Sequence, residues 1–142
     1  MSDNPRKVLE DFDTVAVVGL SANPDKAAHA VPAFLQQAGF RIIPVHPGAG
    51  EVLGEKAYPS LADKPEPVDI VEVFRPASEA AAIARAAVDI GAKALWLQLG
   101  ITSEEARQIA EEGGLRFVQN RCVGKETDLH GIRKGTPRTE AP

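Results

Sequence analysis

Cysteine and long hydrophobic runs are scarce in this sequence. A single cysteine, Cys122, stands among 142 residues, which excludes an internal disulfide framework and is typical of a reducing cytoplasm. No apolar run approaches the ~18 residues that a membrane-spanning helix needs. The first ten residues are too polar for the core of a signal peptide. The sequence therefore predicts a cytoplasmic protein that makes no use of a membrane.

Basic residues are also too few for a nucleic-acid-binding protein. The formal net charge is −4 and the pI is about 5.4, whereas such binding depends on clustered lysine and arginine. We therefore expect no nucleic-acid partner. The segment from Asn120 onward is the exception, since its five basic and three acidic residues give +2. Its composition is typical of a solvated tail.

Patterns for metal binding or nucleophilic catalysis are missing. The cysteine has no second cysteine to pair with, and the histidines His29, His46 and His130 show no helical His-x-x-x-His spacing. Ser21 lies in Gly-Leu-Ser-Ala-Asn rather than in a Gly-x-Ser-x-Gly elbow. Cys122 has two basic neighbours in sequence, but no histidine or carboxylate can be placed beside it. We expect no metal site and no catalytic residue, and whether the chain is an enzyme stays open.

Short apolar runs alternate with helical patterns along the chain, which predicts one α/β domain. A parallel sheet covered on both faces follows, and right-handed crossovers make it a doubly wound, Rossmann-like, mostly parallel sheet of five strands in the order 3-2-1-4-5. The predicted strands are Thr14 to Val18, Arg41 to Val45, Val68 to Phe74, Ala94 to Leu97 and Arg116 to Val118.

Three longer helices are predicted between these strands. The first carries the apolar face Val31 to Ala38, and Pro32 should allow it to begin only shortly before that proline. The second opens at Pro76. The third is capped by Thr102 in a capping box and ends at Gly113. The Gly- and Pro-rich connection between the second and third strands should hold one short helical turn near residues 60–63.

Ligands bind doubly wound sheets beyond the carboxyl ends of the strands, at the switch point beside the first strand. The loop that follows Val18 contains Gly19, which lets the backbone approach a ligand closely. Ser21 and Asn23 offer polar groups, and Lys26 adds a positive charge at the start of a helix, where free N–H groups favour an anion. This loop predicts a phosphate site.

The loop after the second strand has no acidic residue. A carboxylate at this point binds the ribose hydroxyls of NAD, but the sequence has Pro44, Val45, His46 and Pro47 here. Such a wall is suited to flank a base or a ribose, and His46 can donate to a phosphate. The sequence therefore argues against ordinary NAD, while NADP is harder to exclude.

The loops after the third and fourth strands complete the predicted crevice. Arg75 is placed to meet a phosphate or to pack over a ring. Gln98 and Gly100 line the same crevice in this interpretation, whereas Trp96 lies within a strand and is expected in the core.

Taken together, these loops resemble the CoA-binding domain family of small, stand-alone Rossmann-like proteins, which is related to the N-terminal domain of the succinyl-CoA synthetase α subunit. The resemblance spans about Asp13 to Val123. The matching segments are Val15 to Pro24, Ile42 to Pro47, Gly54 to Asp63, Pro67 to Arg75, Leu95 to Gly100 and Asn120 to Cys122.

The resemblance implies that coenzyme A binds with its nucleotide end at the first two loops. By position, the phosphates would be held by Gly19, Ser21, Ala22, Asn23 and Lys26. The adenosine end would be flanked by Pro44, Val45, His46 and Pro47, and the pantetheine or pyrophosphate would be followed by Phe74, Arg75 and Pro76. The synthetase carries its phosphorylated histidine in a further domain that this chain lacks. His46 is therefore not expected to take that role, and the resemblance does not imply ligase activity.

The expected function is that of a non-catalytic protein that carries, buffers or senses CoA or an acyl-CoA. Two alternatives are an NAD(P)-dependent oxidoreductase and the nucleotide-binding subunit of a larger CoA-using enzyme, which would have a protein partner. The expected division of the chain is a polar segment or short helix at 1–12, the CoA-binding domain at 13–123 and a polar tail at 124–142.

Overall fold

The computed structural model describes residues 3–48 and 50–135. Apolar runs of three to five residues form the central strands, and amphipathic segments between them form the helices. The helices are α1 (Pro5–Asp11), α2 (Ala27–Gln37), α3 (Ala77–Asp89), α4 (Glu104–Glu112) and α5 (Val123–Leu129), with a 3-10 helix at Leu61–Asp63. The strands are β1 (Thr14–Val18), β2 (Arg41–Val45), β3 (Glu51–Val52), β4 (Glu55–Lys56), β5 (Ile70–Val73), β6 (Ala94–Leu97) and β7 (Arg116–Val118).

Five strands form one parallel sheet in the order β2-β1-β5-β6-β7. The predicted Rossmann-like α/β class is confirmed, but the predicted order 3-2-1-4-5 is wrong. The third strand of the sheet, β5, lies beside β1 on the side opposite β2, so the order is 2-1-3-4-5. The Asp69 carboxylate accepts the N–H groups of Asp13 and Thr14, both at 3.1 Å, and thereby fixes the start of β5 beside the start of β1.

The connection between β2 and β5 contains an antiparallel hairpin that the sequence does not predict. Strands β3 and β4 pair across a turn at Leu53 and Gly54, which both have positive φ. Arg41 holds the hairpin against β2, because its guanidinium bonds Glu55 at 2.5 Å and Glu66 at 3.1 Å. The helical turn predicted near residues 60–63 is the 3-10 helix.

Both outer edges of the sheet have backbone groups that pair with flanking segments. On β2, the Tyr58 N–H donates to the Pro44 carbonyl at 3.0 Å, and the His46 N–H donates to the Tyr58 carbonyl at 2.9 Å. On β7, the Asp3 N–H donates to the Phe117 carbonyl and the Asp3 carboxylate accepts the Phe117 N–H, each at 2.7 Å. These bonds hold short pieces of chain along both margins.

Side chains alternate between two buried faces of the sheet, as the period of two in a strand requires. One face packs against α3 and α4, and the other packs against α1, α2 and α5. Ala16 and Val71 belong to the first face, whereas Val17, Ile70 and Trp96 belong to the second. Trp96 is fully buried, as predicted. No helix among residues 3–48 and 50–135 is both long and apolar enough to cross a bilayer.

Helix α2 begins at Ala27, a full turn earlier than Pro32 leads one to expect. Proline lacks an N–H, so the Ala28 carbonyl loses its partner within the helix. The Ser21 N–H donates to that carbonyl instead, at 3.0 Å. The loop after β1 therefore satisfies the group that Pro32 leaves free, and the helix tolerates proline inside it.

The cap of α4 is Ser103 rather than the predicted Thr102. The Ser103 hydroxyl accepts the Ala106 N–H at 3.1 Å. The Ser103 N–H in turn donates to the Gln119 side-chain oxygen at 3.0 Å. This long-range bond selects between two adjacent residues that are both good caps.

The predicted polar tail at 124–142 is wrong for the residues that the structure describes. Gly124 and Thr127 in α5, and Ile132 after it, are buried against the sheet and α2. Only a few residues of the segment are buried and most of them are small, so its overall composition is still polar. Residues 136–142 of the predicted tail lie outside the described residues. At the other end, α1 is a helix within 1–12 that Asn4 caps by accepting the Arg6 N–H at 2.9 Å.

Candidate functional site

A cavity of about 440 Å³ opens at the carboxyl ends of β1 and β2, beside the start of α3. It lies at the switch point beside β1, because the chain leaves β1 toward β2 on one side and reaches β5 on the other. The lining residues are Val18, Gly19, Val45, His46, Pro47, Pro59, Ser60, Leu61, Arg75, Glu79, Ala82, Ile83 and Ala86. Among the residues singled out from the sequence, the structure brings Gly19, Val45, His46, Pro47 and Arg75 together in this cavity.

Backbone bonds continue past the strands and hold the surrounding loops side by side. The Gly19 N–H donates to the Val45 carbonyl at 3.1 Å, and the Phe74 N–H donates to the Val18 carbonyl at 2.9 Å. Gly19 has a φ of +91°, and a Cβ at this position would lie 2.9 Å from both the Phe74 carbonyl oxygen and the Arg75 Cδ. Only glycine allows the first and third loops to approach this closely.

The second loop contributes an imidazole and an apolar wall. The His46 Nδ1 accepts the Gly48 N–H at 3.3 Å, which leaves the ring proton on Nε2 as a donor. Val45 and Pro47 form the adjacent wall. Pro44 is buried within β2 in register with Val17 and does not line the cavity.

Arg75 lines the cavity and pairs with a glutamate one helical turn further along the chain. Its Nε and Nη2 bond the two carboxylate oxygens of Glu79 at 3.0 and 2.7 Å. This bidentate pair lowers the pKa of the Glu79 carboxyl and raises that of the Arg75 guanidinium. Phe74 is half-buried against the core, and Pro76 is the exposed cap of α3, so neither lines the cavity.

The first loop binds mostly to itself. The Ser21 hydroxyl accepts the Asn23 N–H, and the Asn23 side chain accepts the Asp25 N–H, both at 3.0 Å. The His29 Nδ1 lies 2.7 Å from the Ser21 carbonyl. Ala22 and Lys26 are exposed and, like Ser21 and Asn23, lie outside the cavity lining. The loop forms an ordered start of α2, with Asp25 and Lys26 side by side before the helix.

The fourth loop is held by hydrogen bonds to the side-chain oxygens of Gln98 and Asn120, and it does not face the cavity. The Gln98 Oε1 accepts the Val123 N–H at 3.1 Å, and the Gly100 N–H donates to the Asn120 Oδ1 at 2.7 Å. Neither Gln98 nor Gly100 lines the cavity. Within the described ranges, no group of three histidine, cysteine or acidic side chains is arranged to hold a metal ion.

A family model described as CoA binding domain matches residues 13–128. The chain belongs to the CoA-binding domain family. The match extends past Val123, where the resemblance was expected to end, and reaches the penultimate residue of α5.

Relatives of this CoA-binding domain include small and large proteins. Uncharacterized protein YneT of Bacillus subtilis is 38% identical over 83% of this chain and 87% of its own length. Acetate--CoA ligase [ADP-forming] II of Archaeoglobus fulgidus is 32% identical over 89% of this chain, which spans only 18% of the ligase. A Thermus thermophilus structure, called cell-free ID.343, has 36% identity and a TM-score of 0.85 over 90% of this chain and 99% of that one.

Sequence reasoning about this CoA-binding domain missed the contributions of α3 and of the segment before the 3-10 helix. Glu79, Ile83 and Ala86 face the cavity from one side of α3. The spacing Arg75-x-x-x-Glu79 was the available signal, because residues four apart meet on a helix. Pro59 and Ser60 enter the cavity through the path of a long irregular connection, which no periodic pattern predicts.

Glu72 was also missed, although its position in sequence is unusual. It is an acidic residue inside the apolar strand β5, and it is fully buried. Neither carboxylate oxygen has a hydrogen-bond partner in the described structure. Burial raises the pKa of the Glu72 carboxyl well above its usual range, and the nearby Cys122 raises it further. The group therefore favours the neutral form.

Proposed function

We propose that this chain binds coenzyme A, or an acyl thioester of it, in the cavity beside β1, and acts as a carrier, buffer or sensor of that ligand. The observation that carries the proposal is the meeting of Gly19, His46 and Arg75 at the switch point of a CoA-binding domain. A volume of about 440 Å³ falls within the ~300–1,000 Å³ of small-molecule sites.

Hydrogen-bond donors around the cavity suit a phosphate-bearing ligand. Arg75 offers a guanidinium that Glu79 already orients, and planar guanidinium groups bind phosphate with two parallel bonds. The proton on the His46 Nε2 supplies another donor. Lys26 and the first N–H groups of α2 add positive potential beside the cavity. Together these groups support binding of the phosphates.

Aliphatic side chains give the cavity a surface for a base or for the pantetheine arm. Val45, Pro47, Leu61 and Ile83 line it. A Cβ at Gly19 would collide with Phe74 and Arg75, so glycine is needed for the loops to lie this close together. The carboxylate in the cavity, Glu79, is engaged by Arg75 and is not at the end of β2, where a dinucleotide site binds the ribose. The site therefore favours CoA over NAD.

Calorimetric titration of CoA against dephospho-CoA, ATP and NAD tests the proposal. We expect CoA to bind with a Kd in the micromolar range, about −8 kcal/mol, and more tightly than the other three. Absence of CoA binding, or equal affinity for NAD, would contradict it.

Two arginines near α3 provide a matched comparison. Arg75→Met should weaken CoA binding roughly 10- to 100-fold, because a hydrogen bond to a charged group contributes about 1.5–3 kcal/mol. Arg85→Met should leave the affinity unchanged, because Arg85 pairs with Glu105 outside the cavity. Equal effects of the two substitutions would remove Arg75 from the proposed site.

A further inference from the structure

Helix α2 forms part of the outer surface of the molecule, yet it carries no charged residue. Its eleven residues, Ala27–Gln37, include no aspartate, glutamate, lysine or arginine, whereas α1, α3 and α4 each contain at least three. A surface helix normally has charged or polar residues on the side away from the core. On α2, Ala30 is exposed, and Val31 and Phe34 are only partly buried. The outer side of α2 is therefore an uncharged, largely apolar face.

A second cavity, of about 340 Å³, continues this face between α2 and α5, and we call it the α2–α5 recess. Gly124 lets the two helices approach closely, because a Cβ at this position would lie 3.2 Å from the Val31 Cγ1. The Arg133 guanidinium lies 5.8 Å from the centre of the Phe34 ring. The residues of the two helices that line the recess are Ala30, Val31, Phe34, Gly124, Lys125 and Asp128.

The two charged residues that line the α2–α5 recess are of opposite sign. Lys125 and Asp128 are exposed, and neither forms an ion pair with any residue that the structure describes. On the same helix, Glu126 is engaged by Arg121 at 3.9 Å and by His130 at 3.3 Å. A surface with one unpaired charge of each sign can bind a second copy of itself, because each charge then faces its opposite.

Leu129 protrudes from α5 next to the recess. Among residues 3–48 and 50–135, the exposed large hydrophobic side chains are Leu99 and Leu129, and Leu129 has the larger exposed fraction, 72%. It follows Asp128 directly and lies four residues beyond Lys125, so it stands beside these side chains on the outer side of the helix. The same surface therefore carries an apolar recess and an apolar projection. A two-fold dimer needs such a self-complementary patch.

We propose that two copies of this chain associate through the face formed by α2 and α5, related by a two-fold axis. Leu129 of each copy occupies the α2–α5 recess of the other, in contact with Val31 and Phe34. Lys125 of each copy pairs with Asp128 of the other. This one arrangement covers the uncharged side of α2, removes an exposed leucine from water and gives both unpaired charges a partner.

A second copy accounts for this surface better than an unrelated partner does, because every feature of the patch has its complement within the same patch. Two-fold symmetry also ends the assembly at two copies, since each patch is fully used by the other. Two short helices form the interface, so we expect it to be small and its Kd to lie in the micromolar range.

Sedimentation equilibrium of the full chain without added CoA, at micromolar to millimolar concentration, tests the proposal. The wild-type mass should rise from 15.1 kDa toward twice that value. Leu129→Glu should raise the Kd of the dimer at least ~10-fold, because it would bury a carboxylate in an apolar recess. Leu99→Glu is the matched control and should leave the Kd unchanged, because that exposed leucine lies in the loop after β6.

Reversal of the two charges tests the two-fold contact itself. Lys125→Glu and Asp128→Lys should each weaken self-association at least ~10-fold, because each brings like charges together across the interface. An equimolar mixture of the two variants should form a mixed dimer, because the acidic pair of one then faces the basic pair of the other. All of these substitutions are at exposed positions, and circular dichroism should show unchanged helix content.

A wild-type chain that keeps a mass of 15.1 kDa at every concentration would overturn the proposal. A dimer that Leu129→Glu leaves intact would also overturn it, as would charge variants that associate no better in the mixture than alone, since the copies would then meet through another surface. The first cavity lies on the opposite side of the sheet, beside α3. Self-association and CoA binding can therefore fail independently.

Discussion

Gly19 is the residue on which the shape of the first cavity depends most directly. Its φ is positive, and a Cβ at this position would lie 2.9 Å from the Phe74 carbonyl oxygen, so each feature disfavours a side chain. Gly100 has a similar φ of +88°, but a Cβ there would meet open space. An alanine substitution at Gly100 therefore introduces backbone strain alone, whereas one at Gly19 introduces both backbone strain and a steric contact.

We expect Gly19→Ala to lower the free energy of unfolding by at least ~1 kcal/mol more than Gly100→Ala does. The left-handed conformation costs a non-glycine residue roughly 1–2 kcal/mol in both variants, and only Gly19→Ala adds the contact at 2.9 Å. Urea denaturation of both variants measures the difference. Equal losses would show that the loops can move apart freely.

Glu72 makes the stability of the fold depend on pH. Its pKa is raised in the folded state, whereas the unfolded carboxyl titrates near its ordinary value of about 4.3. Above that pH the unfolded chain releases the proton while the folded chain keeps it, so the contribution of Glu72 to stability falls as pH rises toward the folded pKa.

Glu72→Gln should remove this decline. The stability of the variant relative to the wild type should therefore increase as pH rises above the unfolded pKa of about 4.3 toward the raised folded pKa, whatever constant offset the amide introduces. Urea denaturation at intervals of half a pH unit measures the slope. Glu105→Gln, at an exposed position, is the control, and a parallel course for all three proteins would contradict the assignment.

At the scale of single elements, α4 offers a test of which residue caps it. Ser103→Ala should lower the free energy of unfolding by about 1 kcal/mol, the usual loss when a capping hydroxyl is removed. Thr102→Ala should change it by less than ~0.5 kcal/mol. Thermal and urea denaturation of the two variants distinguish them, and the reverse ranking would restore the capping box predicted from the sequence.

The strands themselves were largely predictable from the sequence, whereas the order in which they lie side by side in the sheet was not. The bounds of β1, β2, β6 and β7 agree with the apolar runs, because a buried parallel strand is apolar throughout. The position of β5 beside β1 is set by long-range pairing, which includes the bonds from two distant N–H groups to the Asp69 carboxylate. Local periodicity carries no information about such a contact.

The same limit applies to the candidate site. The loops after the first three strands were predicted from topology and do meet at one cavity. Which side chains face it depends on partners, such as Glu79 for Arg75 and Asn23 for Ser21. Glu72 was visible in sequence as an acid in an apolar strand, but its proximity to Cys122 requires the fold.

At the scale of the whole molecule, the segment after Cys122 completes one face of the sheet. A chain ending at Cys122 should lose cooperative unfolding, because Val123, Thr127 and Ile132 would no longer cover that face. Trp96 is the single tryptophan, and its fluorescence should shift to longer wavelength in the shortened chain. Retention of the native emission and of a cooperative transition would contradict the role given to α5.

The flanking segments on β2 and β7 bear on how copies of this chain behave at high concentration. An uncovered sheet margin is a template on which a foreign strand can grow, and aggregation begins there. Here Tyr58 occupies hydrogen-bonding groups on one margin and Asp3 occupies them on the other. Because both margins are covered in this way, this open sheet should resist the addition of foreign strands. Closed barrels resist it for a related reason, since they have no free edge.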